Sequence, residues 1–182
     1  MDIRLSVMDR LVAFRLTRGM TTNPILIVTA AASVSSAAVG GLFFAFSAFV
    51  MRGLDRTGPI DAITAMRGIN AEAERNAPLL VLLFGSALLA LTAGIMAAVQ
   101  WRQGSGYAVA GAAFALVAVV VTIACNVPLN NHLAGLNVTG LSSADVPREW
   151  QSYFGTWTAW NHVRTVSPLI GSVLLLVGLR CR

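Results

Sequence analysis

Four long runs of apolar residues divide the chain, and polar stretches separate each run from the next. The runs cover approximately residues 24–51, 77–99, 106–127 and 163–179. A helix needs about 20 mostly apolar residues to cross a bilayer, and the last, shortest run can be lengthened by the segment before it. The pattern predicts an all-α fold, an integral membrane four-helix bundle. We expect a partly helical outer loop after the first span and a long outer loop before the fourth.

The composition indicates membrane-spanning helices rather than the large hydrophobic core of a soluble domain. Hydrophobic residues make up 56% of the 182 residues and charged residues 12%, whereas soluble domains are about 25% charged. All thirteen basic residues are arginines. They are spread over the ends of the apolar runs instead of one soluble face, which argues against a nucleic-acid partner. Cys125 and Cys181 do not make a disulfide framework.

Two segments are predicted, a basic tail over residues 1–23 and one four-span domain over residues 24–182. The tail is typical of an amphipathic helix on a membrane surface and equally of a disordered terminus. Four spans place both termini on one side, and the turn around Arg102 favours the cytoplasmic side. We therefore expect an integral protein of a bacterial plasma membrane, with the lipid bilayer as a partner. A homo-oligomer or a second membrane protein is left open.

The first polar cluster, N-V-P-L-N-N-H, closes the third span. Asn126 and Asn130 are four residues apart and share a helix face. Pro128 favours a bend or an end of the helix, because proline removes a backbone donor. Asparagine and proline are common in turns, so the pattern predicts a helix end and a turn here.

The second cluster, W-T-A-W-N-H-V-R, precedes the fourth apolar run. A helix start is predicted here, with Asp145 as its cap residue and Pro147 in its first turn. Aromatic residues then recur at helical spacing, and the same face continues to Arg164 and Pro168. The face consists of Trp150, Tyr153 or Phe154, Trp157, and Trp160 or Asn161.

Each part of this cluster has a structural explanation as well as a functional one. Tryptophan and tyrosine favour the membrane interface, and an arginine at a helix end can extend its charge to that interface. Asn161, His162 and Arg164 occur together, however, where an unpaired polar group costs several kcal/mol. This combination favours a functional pocket over a purely structural network. We expect Asn126 or Asn130 to hydrogen-bond to Asn161 or Arg164, because the two clusters lie at one membrane depth.

The loop after the first span contains a third set of polar residues. Helical spacing places Met66, Asn70 and Glu74 on one face. The balanced charges around them are typical of an ordinary solvated face.

The sequence predicts no metal site and no haem. Only two histidines are present, His132 and His162, with Glu72 or Glu74 as neighbouring carboxylates. No span supplies two good ligands one helical turn apart.

Four motifs together carry a family resemblance. They are G-G-L-F-F-A-F-S-A-F-V-M in the first span, A-M-R-G-I-N in the loop, N-V-P-L-N-N after the third span and W-T-A-W-N-H-V-R before the fourth. Over roughly residues 40–179 the chain resembles the anthrone oxygenase-like family of small four-span membrane proteins. It departs from the family pattern at Arg52, where proline is frequent, and at His132.

The resemblance implies a membrane oxygenase that acts on a hydrophobic aromatic molecule, anthrone-like or a quinol, with dioxygen. It implies a cofactor-independent monooxygenase, without flavin or haem. His162 would take the proton, and Arg164 with Asn161 or Asn130 would hold the developing oxyanion. The implied substrate-binding residues are Trp157, Trp160, Asn126, Asn130 and Asn70.

The alternative is a non-catalytic four-span protein, an accessory or lipid-binding membrane subunit. The two hypotheses differ in the space that they require. An enzyme needs an apolar cavity bordered by His162 and Arg164. A scaffold would have these side chains paired and the bundle filled.

Overall fold

The computed structural model describes residues 23–182, so nearly all of the predicted basic tail lies outside the described residues. In this range the chain forms five helices and one short 3₁₀ turn, Val138–Gly140. The helices are α1 (Pro24–Asp55), α2 (Pro59–Arg75), α3 (Ala77–Val99), α4 (Ser105–Gly135) and α5 (Asp145–Arg180). Two of them contain a π-helical turn, Phe46–Val50 in α1 and Thr122–Asn126 in α4.

Asparagine side chains start two of the spanning helices. The Asn23 Oδ1 accepts a hydrogen bond from the Ile25 N–H at 3.2 Å, and the Asn76 Oδ1 accepts one from the Leu79 N–H at 3.0 Å. A proline follows each cap within the first two helical positions, where its missing N–H has no partner to lose. Gly104, with φ of 85°, makes the tight turn between α3 and α4.

Within residues 23–182, four helices are long and apolar enough to cross a membrane, namely α1, α3, α4 and α5. Large apolar side chains stand on their outward faces, for example Val34 at 70% exposure and Val81 at 71%. Such a surface suits lipid and is costly in water. The predicted all-α membrane bundle is confirmed: this is an integral membrane protein whose outward faces contact lipid. The division into a tail and one domain stays a prediction.

Helix α5 packs against α1 and α4, and α3 packs against the other sides of the same two helices. At one end of the bundle, α2 lies over the ends of α1 and α4 and the start of α5. A buried cluster joins these elements there, and its members include Met51, Ile63, Met66, Leu133 and Trp150. We call this region the α2 end of the bundle.

Small residues allow α4 and α5 to approach closely. A Cβ atom added to Gly171 would lie 2.7 Å from the Gly111 carbonyl oxygen and 2.8 Å from the Ala115 nitrogen. These atoms belong to the backbone and cannot move aside as a side chain can. Close packing of this kind joins membrane helices where no hydrophobic effect drives their association.

We expect Gly171→Ala to lower the free energy of unfolding by about 1–3 kcal/mol, the usual cost of overpacking. Gly155→Ala in the same helix is the matched control, because its added Cβ would meet nothing within 4 Å. That control is expected to be neutral or stabilising by up to about 1 kcal/mol. Unfolding of both variants in detergent checks this, and equal stabilities would show that the α4–α5 contact tolerates a methyl group.

The predicted turn at Pro128 is wrong, since α4 continues as a helix to Gly135. The π-helical turn ends just before this proline, with the Val127 N–H bonded to the Thr122 carbonyl. Pro128 therefore occupies the first turn of the following helical segment, where a proline is readily accommodated. The predicted helix start in this segment is confirmed, with Pro147 in the first turn of α5. The predicted cap is wrong, since Ala144 occupies the cap position and the Asp145 carboxylate accepts from Ser142 and Arg148 instead.

Candidate functional site

One face of α5 carries the residues that define the site. The side chains of Trp150, Tyr153, Trp157, Asn161 and Arg164 are all buried. They recur every three or four residues, so they project from one side of a continuous helix. Of the alternatives that the spacing left open, Asn161 belongs to this face, whereas Trp160 is 40% exposed and does not.

A cavity of about 220 Å³ lies beside this face, near the α2 end of the bundle. All five helices contribute to its wall, which is largely apolar. Its polar lining residues are Asn70, Glu74, Thr122, Asn130 and Arg164. Phe84 of α3 and Ile123 of α4 also line it, and about half of each side chain is exposed on the outward surface. The cavity therefore reaches the lipid-facing side of the bundle.

Arg164 brings a positive charge to the cavity wall although only 5% of the residue is exposed. Its Nε donates to the Asn161 Oδ1 at 2.9 Å, and its Nη1 donates to the Thr122 Oγ1 at 3.4 Å. The guanidinium carbon lies 4.2 Å from the centre of the Phe43 ring and 4.7 Å from that of Trp157.

These contacts do not neutralise the charge of Arg164. Among residues 23–182, no acidic side chain forms an ion pair with it. Cation–π contacts contribute up to about 2 kcal/mol when they are desolvated, whereas burying a charge without a counter-ion costs several kcal/mol. The cavity wall thus holds a cation whose counter-ion is not supplied by the described part of the chain.

Asn161 connects the guanidinium of Arg164 to helix α1. Its Nδ2 donates to the Phe43 carbonyl at 2.8 Å and to the Ser47 Oγ at 2.7 Å. Ser47 lies in the π-helical turn of α1, and Thr122, the other hydroxyl partner, lies in that of α4. Such turns occur frequently at functional sites. Sequence reasoning missed both hydroxyls, because hydrophobic periodicity does not reveal a π-helical turn.

A second polar network borders the cavity on the side of α2. The Asn130 Oδ1 accepts hydrogen bonds from the Trp157 Nε1 and from the Tyr153 hydroxyl, both at 2.9 Å. The Tyr153 oxygen in turn accepts one from the Asn70 Nδ2 at 3.4 Å. This network joins α2, α4 and α5.

A family model described as anthrone oxygenase matches residues 75–174, which is more than half of the chain. The matched range contains Asn126, Asn130, Trp157, Asn161 and Arg164. The chain belongs to the anthrone oxygenase family. No curated protein and no solved structure matches it.

In this anthrone oxygenase family member the two polar clusters lie side by side, as the sequence predicts. The predicted direct contact is wrong, however. Among the described residues no hydrogen bond joins Asn126 or Asn130 to Asn161 or Arg164. The Asn126 Nδ2 instead donates to the Trp157 carbonyl at 3.3 Å, and Asn130 bonds the indole of the same residue. Trp157 therefore links the clusters, since its main-chain carbonyl accepts from Asn126 and its indole N–H donates to Asn130.

Four of the predicted site residues do not line the cavity of this family member, namely Asn126, Trp160, Asn161 and His162. Asn161 is fully buried and bonds Arg164, which does line the cavity. Asn126 is fully buried and bonds the backbone of α5. Trp160 and His162 point outward from α5 and are exposed. The His162 Nδ1 lies 2.9 Å from the Ser47 Oγ, so this histidine is linked to Arg164 only through Ser47 and Asn161.

The face of α2 predicted to hold Met66, Asn70 and Glu74 together is confirmed, and all three residues line the cavity. Glu74 is also exposed to the outside. The charged residues of α2 were expected to lie on a solvent-exposed face. Glu72 is exposed and does not line the cavity. Within the part of the chain that the structure describes, His, Cys, Asp and Glu form no group of three or more suited to a metal ion.

Proposed function

We propose that this family member is a membrane-embedded oxygenase that oxidises a hydrophobic aromatic molecule, anthrone-like or a quinol, with dioxygen. The observation that carries the proposal is the buried guanidinium of Arg164 on the wall of an apolar cavity, with no acidic partner among residues 23–182. A structural anchor would reach the interface or pair with an acid. A buried guanidinium held beside an apolar cavity suits the stabilisation of a developing oxyanion, because a preorganised hydrogen-bond donor acts most strongly where water is excluded.

The chemistry balances without a further reductant. The methylene group of an anthrone-like molecule loses a proton, and the resulting anion is an aromatic oxyanion that transfers an electron to dioxygen. The carbon radical and superoxide combine to a peroxide, which loses water to leave a carbonyl group. The methylene loses two hydrogens, one oxygen atom enters the product, and the other leaves as water.

Three residues that line the cavity and one that bonds Arg164 have a role in this proposal. Arg164 stabilises the oxyanion by charge-assisted hydrogen bonds, and Asn161 keeps its guanidinium oriented. Glu74 accepts the proton, because it is the one carboxylate among the described lining residues. Its exposure allows the proton to pass to water. The Trp157 ring contacts the rings of the bound aromatic molecule.

His162 has a positioning role in this proposal rather than the role of a base. A general base must lie within hydrogen-bond distance of the proton, directly or through one water. His162 lies outside the cavity and contacts Ser47. The hydrogen bond between its Nδ1 and the Ser47 hydroxyl positions the Ser47 oxygen, which accepts from the Asn161 Nδ2.

We expect His162→Gln to keep catalytic activity within about threefold of the wild type, because a glutamine amide can either donate a hydrogen bond to Ser47 or accept one from it. His162→Phe, which removes this hydrogen-bond partner, tests whether the link to Ser47 matters. Initial rates of dioxygen consumption measure both variants. A fall of about 10² or more in both, in protein that remains folded, would assign the base to His162.

The proposed function is tested with purified protein in lipid nanodiscs supplied with an anthrone. Anthrones also oxidise spontaneously, so empty nanodiscs set the background rate. The expected result is protein-dependent consumption of one dioxygen for each quinone formed. No turnover of anthrones or quinols, together with a lipid found in the cavity by native mass spectrometry, would favour the accessory or lipid-binding alternative.

A further inference from the structure

The indole of Trp157 fixes the orientation of the Asn130 amide. An indole N–H can only donate a hydrogen bond, so the Asn130 atom 2.9 Å from it must be the oxygen, Oδ1. The amide nitrogen then lies on the other side of the group. Among residues 23–182 the Asn130 Nδ2 has no hydrogen-bond partner, although Asn130 lines the cavity. It offers the cavity a free donor.

The same reasoning fixes the orientation of Asn70. The single hydroxyl proton of Tyr153 goes to the Asn130 Oδ1, which can only accept. The Tyr153 oxygen must therefore accept from Asn70, so that the Asn70 atom facing it is Nδ2. The Asn70 Oδ1 has no partner within the described residues, and Asn70 also lines the cavity. It offers the cavity a free acceptor.

A free donor and a free acceptor thus occur close together, since both amides contact the same tyrosine oxygen. A hydroxyl group satisfies such a pair, because it accepts one hydrogen bond and donates another. We call Asn70 and Asn130 the amide pair.

Arg164 forms a second polar position on the same wall. Its Nη2 has no hydrogen-bond partner among residues 23–182, and its charge lacks a counter-ion there. Trp157 connects the two positions, since the guanidinium lies over its ring and Asn130 bonds its N–H. A ligand that contacts both positions would lie along this indole.

We propose that the cavity binds a flat aromatic molecule as its monoanion, with the ionised oxygen at Arg164 and a separate, neutral hydroxyl at the amide pair. This inference rests on the proposed function in taking the cavity as the ligand site and Arg164 as the group that holds the anionic oxygen. The anion supplies the missing counter-ion, and charge-assisted hydrogen bonds are about twice as strong as neutral ones. The hydroxyl fills both free positions of the amide pair, which a plain hydrocarbon edge would leave unpaired.

Three probes with the same two fused rings separate the two positions. They are a hydroxynaphthoate, the naphthoate that lacks the hydroxyl, and the methyl ester of the hydroxynaphthoate, which lacks the charge. Binding to the protein in nanodiscs is measured from probe fluorescence without dioxygen, with empty nanodiscs correcting for partition into lipid. The hydroxynaphthoate is expected to bind about tenfold more tightly than either of the other probes, a typical effect of one hydrogen bond to a fitted site.

Two variants should each remove one preference and keep the other. Asn70→Ala is expected to abolish the preference for the hydroxyl while the preference for the acid over the ester persists. Arg164→Gln is expected to do the reverse. Asn131→Ala is the matched control, because Asn131 is exposed, adjoins Asn130 and does not line the cavity. If Arg164→Gln does not fold, the comparison of acid with ester in the wild type still decides the charge preference.

Equal affinity of the wild type for all three probes would overturn the inference, as would loss of both preferences in a folded Asn70→Ala protein. Because binding is measured without turnover, the two proposals can fail separately. Probe preferences without anthrone oxidation would leave this inference standing and remove the oxygenase. Oxidation without the preferences would do the opposite.

Discussion

Arg164→Lys is expected to lower the catalytic efficiency of substrate-dependent dioxygen consumption by about 10²–10³-fold, the scale for losing an oxyanion donor. Lysine keeps the charge but not the planar fork of the guanidinium. It cannot reproduce the bonds to Asn161 and Thr122 while stacking between Phe43 and Trp157. The protein should still fold in the membrane, because a lysine side chain of similar length can donate to one of these two acceptors.

Arg148→Lys is the matched control for this substitution. Arg148 is exposed and bonds Asp145 at the surface, far along α5 from the cavity. We expect its replacement to leave both the rate and the folding unchanged. Full activity of Arg164→Lys, with the control also active, would identify Arg164 as a structural anchor and remove the main support for the oxygenase.

Glu74→Gln is expected to lower the turnover rate by about 10²–10⁴-fold, the usual contribution of a general base. Glutamine has nearly the same shape and can accept a hydrogen bond, but it cannot hold the proton at neutral pH. Exchange of the methylene hydrogens of an anthrone for deuterium, measured without dioxygen, reports this step directly. The variant should lose protein-catalysed exchange and still bind the anthrone.

Glu72→Gln provides the control for the acid on α2. Glu72 lies two residues away on the same helix and does not line the cavity. Its replacement should leave exchange and turnover as in the wild type. Exchange that persists in Glu74→Gln would show that another group, or water held in the cavity, takes the proton.

The membrane fold could be predicted because it depends on length and hydrophobicity, which a single sequence displays directly. The aromatic face of α5 could be predicted for a similar reason, since regular helical spacing carries Trp157 and Arg164 to the same side. The continuation of α4 past Pro128 could not be predicted, because the π-helical turn that precedes this proline leaves no mark in the pattern of hydrophobic residues.

The candidate site was predictable only in part. Asn161, His162 and Arg164 are neighbours in sequence, but adjacent residues of a helix point about 100° apart. Asn161 and Arg164 therefore face the bundle together, while His162 faces outward. Ser47 and Glu74 come from α1 and α2, and their approach to α5 depends on tertiary packing.

The two π-helical turns change the rotational phase of α1 and α4 at the level of the cavity. Each turn accommodates about one extra residue, so the faces beyond it are rotated by about 100° relative to a regular helix. Before the turn of α1, Gly40 contacts α5 closely, and after it Met51 enters the buried cluster at the α2 end. In each helix the residues that face the bundle therefore follow one helical register before the π-helical turn and another after it. A one-residue deletion within Phe46–Val50 would cancel the extra residue, so α1 could continue as a regular helix with Met51 still in the cluster. The deletion would change only the placement of the residues within the turn, Ser47 among them, and α1 would keep both its register with α2 and its ability to span the membrane.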